Sequence, residues 1–108
     1  MPQINVRGIT TENFLKINNE LINKLVDLTG TNKEDFTVEV FKTDMLFEDK
    51  VINNYPFIEV CWFDRGQKIQ DEVAKTITKM LSKIGIEEAD LFFTHLTKNN
   101  YYYNGKHF

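Results

Sequence analysis

Hydrophobic and polar positions alternate in four separate stretches of the chain. In the first stretch, Ile4 and Val6 alternate with the polar residues Gln3, Asn5 and Arg7. The same alternation returns over residues 36–41, 57–63 and 91–96. A period of two is typical of β-strands that bury one face and leave the other polar. The pattern therefore predicts four main strands.

Two longer segments carry apolar residues at helical spacing. The first can be capped by Thr10 or Thr11 and ends at Gly30, and the second follows Gly66 and ends at Gly85. The apolar stripes are Phe14, Ile17, Leu21, Leu25 and Leu28 in the first segment, and Ile69, Val73, Ile77, Met80 and Ile84 in the second. Both patterns predict amphipathic helices that bury one face.

Two further segments have less regular patterns. Residues 45–47 predict a short edge strand, and residues 48–54 predict a polar loop. The tail, residues 101–108, contains the dipeptide Asn104-Gly105, which is typical of a tight hairpin turn.

The two halves of the chain, residues 1–54 and 55–108, repeat one pattern. The motif Pro-x-Ile-x-Val occurs at residues 2–6 and again at 56–60. With Gly30 aligned to Gly85, residues 35–38 match residues 90–93 without a gap. Each half reads strand, helix, strand, and the two strands of such a unit are expected to be parallel. We predict a single α+β domain over residues 1–108, a duplicated β-α-β with a four-stranded mixed sheet and two helices on one face.

The predicted sheet has a second, polar face. Strand parity directs Ile4, Val6, Ile58 and Val60 to the helices, and it leaves Gln3, Asn5, Arg7, Thr37, Glu39, Phe41, Glu59 and Cys61 on the other side. One explanation is plain exposure to solvent. The other is a subunit interface around a polar channel, in which Arg7 pairs with Glu39 or Glu59. The pattern alone leaves both open.

Composition excludes several classes of protein. The 108 residues carry a net charge of -3 and no basic block, so there is no electrostatic reason to bind nucleic acid. The single cysteine, Cys61, excludes an intramolecular disulfide and fits a reducing compartment. No apolar run is long enough to span a membrane. His95 and His107 lack metal-ligand partners at useful spacing. We expect a cytoplasmic protein without metal or cofactor.

The second residue is a proline, and proline at this position favours removal of the initiator methionine. Pro2 would then carry a free secondary amine, and an α-amino group titrates near neutrality. If Met1 is retained, Pro2 is a tertiary amide whose lone pair is delocalised and cannot take a proton. We expect Met1 to be removed in the native host, and expect it, where present, to occupy space near Arg65. The alternative is that Pro2 merely opens a strand.

Taken together, these residues resemble the tautomerase superfamily of macrophage migration inhibitory factor and oxalocrotonate tautomerase. The resemblance covers the whole chain and is closest to an uncharacterised bacterial branch. It rests on Met1-Pro2, the duplicated β-α-β, Thr29-Gly30, Tyr55-Pro56, Arg65-Gly66 and the tail from Tyr103 to Phe108. It implies a homotrimer in which short strands extend the neighbouring sheet, and we assign residues 45–47 and 101–103 to that exchange.

The same resemblance implies a site. It makes Pro2 the catalytic base, and it makes Arg65 the group that holds a carboxylate or polarises a carbonyl. Phe63 and Tyr102 are candidates for aromatic walls of the pocket. The alternatives are that Phe63 is a core residue and that the tyrosine run packs on an edge strand at the trimer seam. Family members have a pocket lysine directly after Thr-Gly, where this chain has Thr31; Lys33, two residues later, is the candidate for that substrate-binding role. The alternative for Arg65 is a solvated charge paired with Asp64, and Arg7 is expected to be structural.

Three functions fit these observations. The first is a tautomerase-like enzyme that moves a proton on a small α-keto or enol carboxylate. The second, favoured by the substitution at Thr31, is a non-catalytic trimer that binds a metabolite or a protein. The third is a ferredoxin-like regulatory module, which has the same order of elements but a different order of strands in its sheet.

Overall fold

The computed structural model describes residues 2–108, which form a four-stranded sheet, two long helices and two small hairpins. The main sheet consists of β1 (Gln3–Arg7), β2 (Thr37–Phe41), β5 (Phe57–Phe63) and β6 (Asp90–Leu96). The helices are α1 (Thr11–Thr29) and α2 (Gln67–Ser82). The hairpins are formed by β3 (Met45–Phe47) with β4 (Lys50–Ile52), and by β7 (Tyr102–Tyr103) with β8 (Lys106–His107).

The strand order in the main sheet is β2-β1-β5-β6. β1 is parallel to β2, β5 is parallel to β6, and the central pair β1–β5 is antiparallel. The predicted α+β fold with a mixed four-stranded sheet is thereby confirmed. In a ferredoxin-like split β-α-β unit, another strand lies between the two strands that flank a helix. Here those strands are direct neighbours, so the ferredoxin-like alternative is wrong.

Both predicted helices are present, and α1 has the expected boundaries, whereas α2 ends at Ser82, three residues before the predicted end at Gly85. Thr10 is the cap of α1, since its hydroxyl accepts a hydrogen bond from the Asn13 amide at 3.2 Å. Gly30 ends α1 with φ 71°, a left-handed conformation that glycine adopts without a steric penalty. Its amide donates to the Val26 carbonyl at 2.9 Å, which satisfies one of the carbonyls left free at the helix end.

The core lies between the helices and one face of the sheet. Ile4, Val6, Ile58 and Val60 on the central strands are buried, as strand parity predicts. They pack in one cluster with buried residues of both helices: Phe14, Ile17, Leu21, Ile22 and Leu25 from α1, and Val73, Ile77, Met80 and Leu81 from α2. Burying apolar side chains on this scale is the main favourable term in folding.

The duplication is visible in the hydrogen bonds that join each β-α-β unit. The Thr37 amide donates to the Pro2 carbonyl at 3.0 Å, and the Asp90 amide donates to the Pro56 carbonyl at 3.0 Å. Thr37 is therefore the structural equivalent of Asp90, and the gapless match of Asp35 with Asp90 is wrong by two residues. The first half has a longer connection, in which residues 33–35 form a 3₁₀ turn before β2 begins.

The two hairpins differ in how well the sequence predicted them. The tail forms the expected tight turn, with Asn104 and Gly105 both at positive φ, 50° and 80°. The prediction of a polar loop over residues 48–54 is wrong in part. Glu48, at φ 52°, and Asp49 form a tight turn that allows residues 50–52 to pair with β3. Three paired residues are too few for alternation to be recognisable.

Gly8, which follows the end of β1, packs closely against the backbone of Tyr55, and Gly85 is its matched control. Both have φ 81°, but a Cβ on Gly8 would lie 2.2 Å from the Tyr55 carbonyl oxygen, whereas a Cβ on Gly85 would meet nothing within 4 Å. We expect Gly85→Ala to lower the free energy of unfolding by about 1–2 kcal/mol, the cost of a left-handed alanine. Gly8→Ala should cost roughly 1–3 kcal/mol more, because the backbone must also move. Urea denaturation measures both, and equal losses would contradict the close approach.

Candidate active site

The amino-terminal end of β1 lies beside the end of β5. Gln3 pairs with Cys61 in the antiparallel ladder, so the next position places Pro2 opposite Trp62. Pro2 is fully buried, and its carbonyl is held by the Thr37 amide of β2. Pro2 therefore lies between β2 and β5, and its backbone position is fixed by both neighbouring strands.

Arg65 follows β5 directly and lies over Trp62. Its guanidinium carbon is 4.9 Å from the centroid of the Trp62 ring, within the range of a cation–π interaction. One guanidinium nitrogen donates to the Phe63 carbonyl at 3.1 Å, and the other donates to the Thr31 hydroxyl at 2.9 Å. Trp62 therefore has Pro2 across the ladder and Arg65 stacked on its ring. This is the juxtaposition that the site depends on.

The charge on Arg65 has no partner of opposite sign among residues 2–108. No carboxylate of the described residues lies within ion-pairing distance of its guanidinium. Asp64 accepts a hydrogen bond from the Gly66 amide at 2.9 Å and lies 4.0 Å from His95, so the alternative pairing of Arg65 with Asp64 is not formed. Partial burial lowers the pKa of Arg65, because desolvation disfavours the cation. A half-buried cation without a counter-ion is a natural site for an anionic ligand.

Phe63 belongs to an aromatic cluster formed with the tail. Its ring centroid lies 5.6 Å from that of Tyr101 and 5.4 Å from that of Phe108, which are 5.0 Å from each other. Because Trp62 faces the helices, the next residue, Phe63, faces the opposite side of the sheet. The carbonyl of Phe63 thus contacts Arg65, while its ring packs against the tail.

The other two predicted site residues lie elsewhere in the subunit. The Lys33 amine donates to the Asn19 side chain on α1 at 2.8 Å. The Tyr102 ring packs on His107 at 4.6 Å within the tail hairpin and is 58% exposed. Within one subunit, Pro2 and Arg65 both lie beside Trp62, and Phe63 contacts Arg65 through its carbonyl while its ring packs on the tail. Lys33 and Tyr102 have no recognised contact with this group within the described subunit. The expectation that Met1 lies near Arg65 falls outside the described residues.

Two residues of this site were not among the candidates from the sequence. The sequence marks Thr31 only as a departure from the family lysine, and the alternation over residues 57–63 predicts only that Trp62 lies on the buried face of its strand. Thr31 and Arg65 are far apart in sequence, so no local spacing could join them. The available signal was that Thr31 follows the glycine cap of α1, the position at which the family places a pocket side chain.

A second polar cluster lies on the face of the sheet away from the helices. The Glu59 carboxylate accepts hydrogen bonds from Thr94 at 2.8 Å and from Asn5 at 3.2 Å. The Thr94 hydrogen bond is the main reason why the pKa of Glu59 is lowered. Burial raises the pKa of the neighbouring Cys61 thiol, which disfavours the reactive thiolate. These groups satisfy one another, as expected of a polar surface that supports the sheet.

Arg7 lies at the edge of this polar face, and within one subunit it contacts an aromatic ring. Its guanidinium lies 5.3 Å from the centroid of the Phe41 ring. Among the described residues it forms no ion pair with Glu39 or Glu59 within 4.0 Å. Its positive charge still contributes to the low pKa of Glu59. Within one subunit, Arg7 therefore stacks on an aromatic ring of the adjacent strand, and its pairing with a carboxylate of another subunit stays a prediction.

Other features of the subunit offer less chemistry. A groove of about 470 Å³ lies at the opposite end of the sheet, between residues 8–12 and residues 40–43. Its titratable side chains, Glu12 and Lys42, are exposed. In the part of the chain that the structure describes, neither helix is long and apolar enough to cross a membrane. Nor do residues 2–108 contain a group of three His, Cys, Asp or Glu side chains placed to hold a metal ion.

Comparison with protein families gives one match over almost the whole chain. Residues 1–107 match the family described as domain of unknown function DUF1904. A solved structure of that same description, from Sebaldella termitidis, is 33% identical, with a TM-score of 0.91 over 100% of both chains. No curated protein is significantly similar to this sequence.

More distant solved structures share the fold. A macrophage migration inhibitory factor-like protein from Entamoeba histolytica has a TM-score of 0.74 at 23% identity, over 99% of this chain and 98% of that one. A fused 4-OT, described as an asymmetric trimer, has a TM-score of 0.79 at 10% identity, over 97% and 94%. The predicted tautomerase/MIF-like fold is confirmed.

The Glu59 cluster predicts a pH dependence of stability. Because the pKa of Glu59 is lowered from 4.5 in the folded protein, its carboxylate stabilises the fold above pH 4.5, and this contribution is lost as the pH falls through the lower folded value. We expect Glu59→Gln to cost about 1 kcal/mol at neutral pH, a modest figure because the group is partly solvated, and less in acid. Glu39→Gln, an exposed residue across Asn5, is the control. The prediction would be contradicted if the unfolding free energies of Glu59→Gln and the wild type differed by the same amount at every pH.

Proposed function

The chain belongs to the DUF1904 family, and from this premise we propose that it is a tautomerase-like enzyme whose general base is the amine of Pro2. The proposed reaction is a keto–enol conversion or double-bond isomerisation of a small α-keto or enol carboxylate. The observation that carries this proposal is the position of Pro2 and Arg65 around Trp62. Pro2, the proposed proton acceptor, and Arg65, a cation without a carboxylate partner among residues 2–108, both lie beside Trp62.

The proposed step is a proton transfer without net oxidation or reduction. The Pro2 amine removes a proton from the carbon next to the carbonyl, or from the γ-carbon, and electron density moves onto the carbonyl oxygen. The Pro2 ammonium then returns the proton to oxygen or to another carbon of the substrate. This chemistry needs a base whose pKa lies near the working pH, which a secondary α-amine provides when Met1 is absent.

Arg65 has two possible roles in this reaction. Its guanidinium can bind the substrate carboxylate through paired hydrogen bonds, or it can stabilise the oxyanion that develops on the carbonyl. Its positive charge and the buried setting of Pro2 both favour the neutral form of a nearby amine. Both effects would keep Pro2 able to accept a proton at neutral pH.

We also propose that the functional unit is a homotrimer. The hairpins expose large apolar side chains: Leu46, Phe47, Val51 and Ile52 on β3–β4, and Tyr102 and Tyr103 on β7. Isolated two-stranded hairpins are marginally stable in water, so these need a surface to pack on. The edges of the four-stranded sheet, at β2 and β6, are unpaired within the described subunit. A neighbouring subunit could supply Lys33 or Tyr102 to the site, and Phe63 would remain a wall on its outer side.

The central test is Pro2→Ala in protein whose intact mass shows that Met1 is absent. Turnover of an enol carboxylate such as the enol of pyruvate, followed by ultraviolet absorbance, should fall by about 10²–10⁴-fold. Pro56→Ala, at the equivalent position of the second half, should keep activity within about twofold, since its nitrogen is never a free amine. Protein that retains Met1 should be inactive for the same reason.

Labelling with bromopyruvate at a pH below the lysine range should modify Pro2 alone, as mapped by peptide mass spectrometry. The enzymatic proposal would be contradicted if wild-type protein that lacks Met1 showed no turnover of a broad panel of enol and keto substrates, and if Pro2→Ala left that result unchanged. If small carboxylates nevertheless raise the thermal stability of Pro2→Ala protein, the non-catalytic binding function takes its place.

The oligomer has its own test. Light scattering at micromolar concentration should give the mass of three chains for the wild type. Leu46→Glu should shift the protein towards monomer, because it places a charge in the proposed interface. Thr78→Glu is the control: Thr78 is exposed on α2 and belongs neither to a hairpin nor to an edge strand of the main sheet. A stable wild-type monomer would contradict the trimer.

A further inference from the structure

The end of α1 is organised by a chain of hydrogen bonds that leads to Arg65. The Thr29 hydroxyl donates to the Leu25 carbonyl at 2.7 Å and accepts from the Thr31 amide at 3.2 Å. The Thr31 hydroxyl in turn accepts from Arg65 at 2.9 Å. The position of the Thr31 side chain is thus set by the last turn of α1. Through its hydrogen bond, Thr31 in turn fixes the position of Arg65 in the loop after β5.

Arg65 is restrained from three directions. Thr31 and the Phe63 carbonyl each take one of its N–H groups, and Trp62 supports the flat face of the guanidinium. A guanidinium has five N–H donors in a fixed fork, so three remain. No acceptor for these three is recorded among residues 2–108. The two bonds also orient the plane of the group, which a single bond would leave free to rotate.

We propose that Thr31 and Trp62 are positioning residues, which hold Arg65 so that its remaining donors are available to the carboxylate of a substrate. This inference rests on the proposed function and extends it to two residues that do not themselves react. A fork that is already oriented loses less conformational freedom when it binds. The arrangement should therefore act on the affinity for a carboxylate rather than on the proton transfer.

This positioning role explains why Thr31 follows Gly30 where family members have a lysine. A lysine ammonium has only donors and the same charge as a guanidinium, so it would repel Arg65. A hydroxyl can accept, and it is small enough for the guanidinium to lie against it. In this chain, the anion-binding charge is on Arg65, and Thr31 supports it.

Trp62 provides a direct signal for the test. It is the single tryptophan of the chain, it is buried, and its ring lies under the guanidinium. Its indole N–H is buried and has no hydrogen-bond partner among the described residues. A ligand that engages Arg65 changes the electrostatic field at this ring, so tryptophan fluorescence should report binding without any turnover.

The experiment titrates pyruvate against Thr31→Val, Thr31→Ser and Arg65→Gln, with pyruvamide as the neutral control ligand. Fluorescence of Trp62 and calorimetry give the Kd. Thr31→Val should raise the Kd for pyruvate about tenfold, since a hydrogen bond to a charged group is lost. Thr31→Ser, which keeps the acceptor, should stay within about twofold of the wild type. Arg65→Gln should lose the preference for pyruvate over pyruvamide.

Trp62→Phe keeps an aromatic face under Arg65 and is followed by calorimetry alone. It should raise the Kd by roughly threefold to tenfold, provided that its thermal transition remains cooperative. In turnover assays, Thr31→Val should raise KM in parallel with Kd and change kcat little. A fall in kcat at unchanged KM would overturn the positioning role, because the hydroxyl would then act in the reaction itself.

The outcomes separate this inference from the proposed enzyme. Pyruvate binding that Thr31→Val weakens and Thr31→Ser retains supports the inference even if Pro2→Ala shows that no proton transfer occurs. If Arg65→Gln abolishes binding but Thr31→Val binds like the wild type, the inference is overturned and the enzyme is untouched. Absence of any pyruvate binding by the wild type overturns both the positioning role and the anchoring role of Arg65.

Discussion

The antiparallel pairing of β1 with β5 is the constraint on which the rest of the molecule depends. Each β-α-β half could bury its apolar stripe only poorly alone, and this pairing fuses the two half-cores into one. It relates the halves by a pseudo-twofold axis that passes between Asn5 and Glu59. It also fixes the position of Pro2, because the antiparallel register places the residue before β1 beside the end of β5.

The candidate site is a consequence of that register. Pro2 lies opposite Trp62 because of the antiparallel register of β1 and β5. Arg65 lies over the Trp62 ring because it follows the end of β5 by two residues. The third element, Thr31, comes from the end of α1 and has no counterpart in the pairing. The two halves are therefore equivalent in backbone but not in chemistry. The second half has no free amine at Pro56, and the first has no arginine at the position of Arg65.

The subunit is well packed on one side and unfinished on the other. Between the helices and the sheet the core is continuous, whereas the two hairpins expose apolar residues and, among residues 2–108, the outer edges of β2 and β6 have no strand partner. Those two deficits complement each other, since a hairpin from one subunit can supply the strand that another lacks. This complementarity supports the proposed trimer.

The sequence by itself determined the parts of the fold that repeat with a regular period. Alternation placed β5 at residues 57–63 and the 3.6-residue stripe placed both helices, because these patterns report directly which face is buried. The glycine cap at Gly30 and the turn at Asn104-Gly105 were also readable, since each needs a backbone conformation that few residues adopt. Pro2 and Arg65 emerged as candidates through the resemblance to a family rather than through any local pattern.

The tertiary structure decided what depends on contacts between distant segments. The pairing of β4 rests on three residues, and the two-residue shift between the repeats arises from a longer connection after α1. Neither leaves a periodic trace in the sequence. The hydrogen bond between Thr31 and Arg65 joins side chains 34 positions apart, and whether a carboxylate lies near Arg65 within residues 2–108 depends on all its neighbours together. Such features exist only once the sheet register has brought the segments into contact, because distance in space, unlike propensity, is not a property of any single stretch of chain.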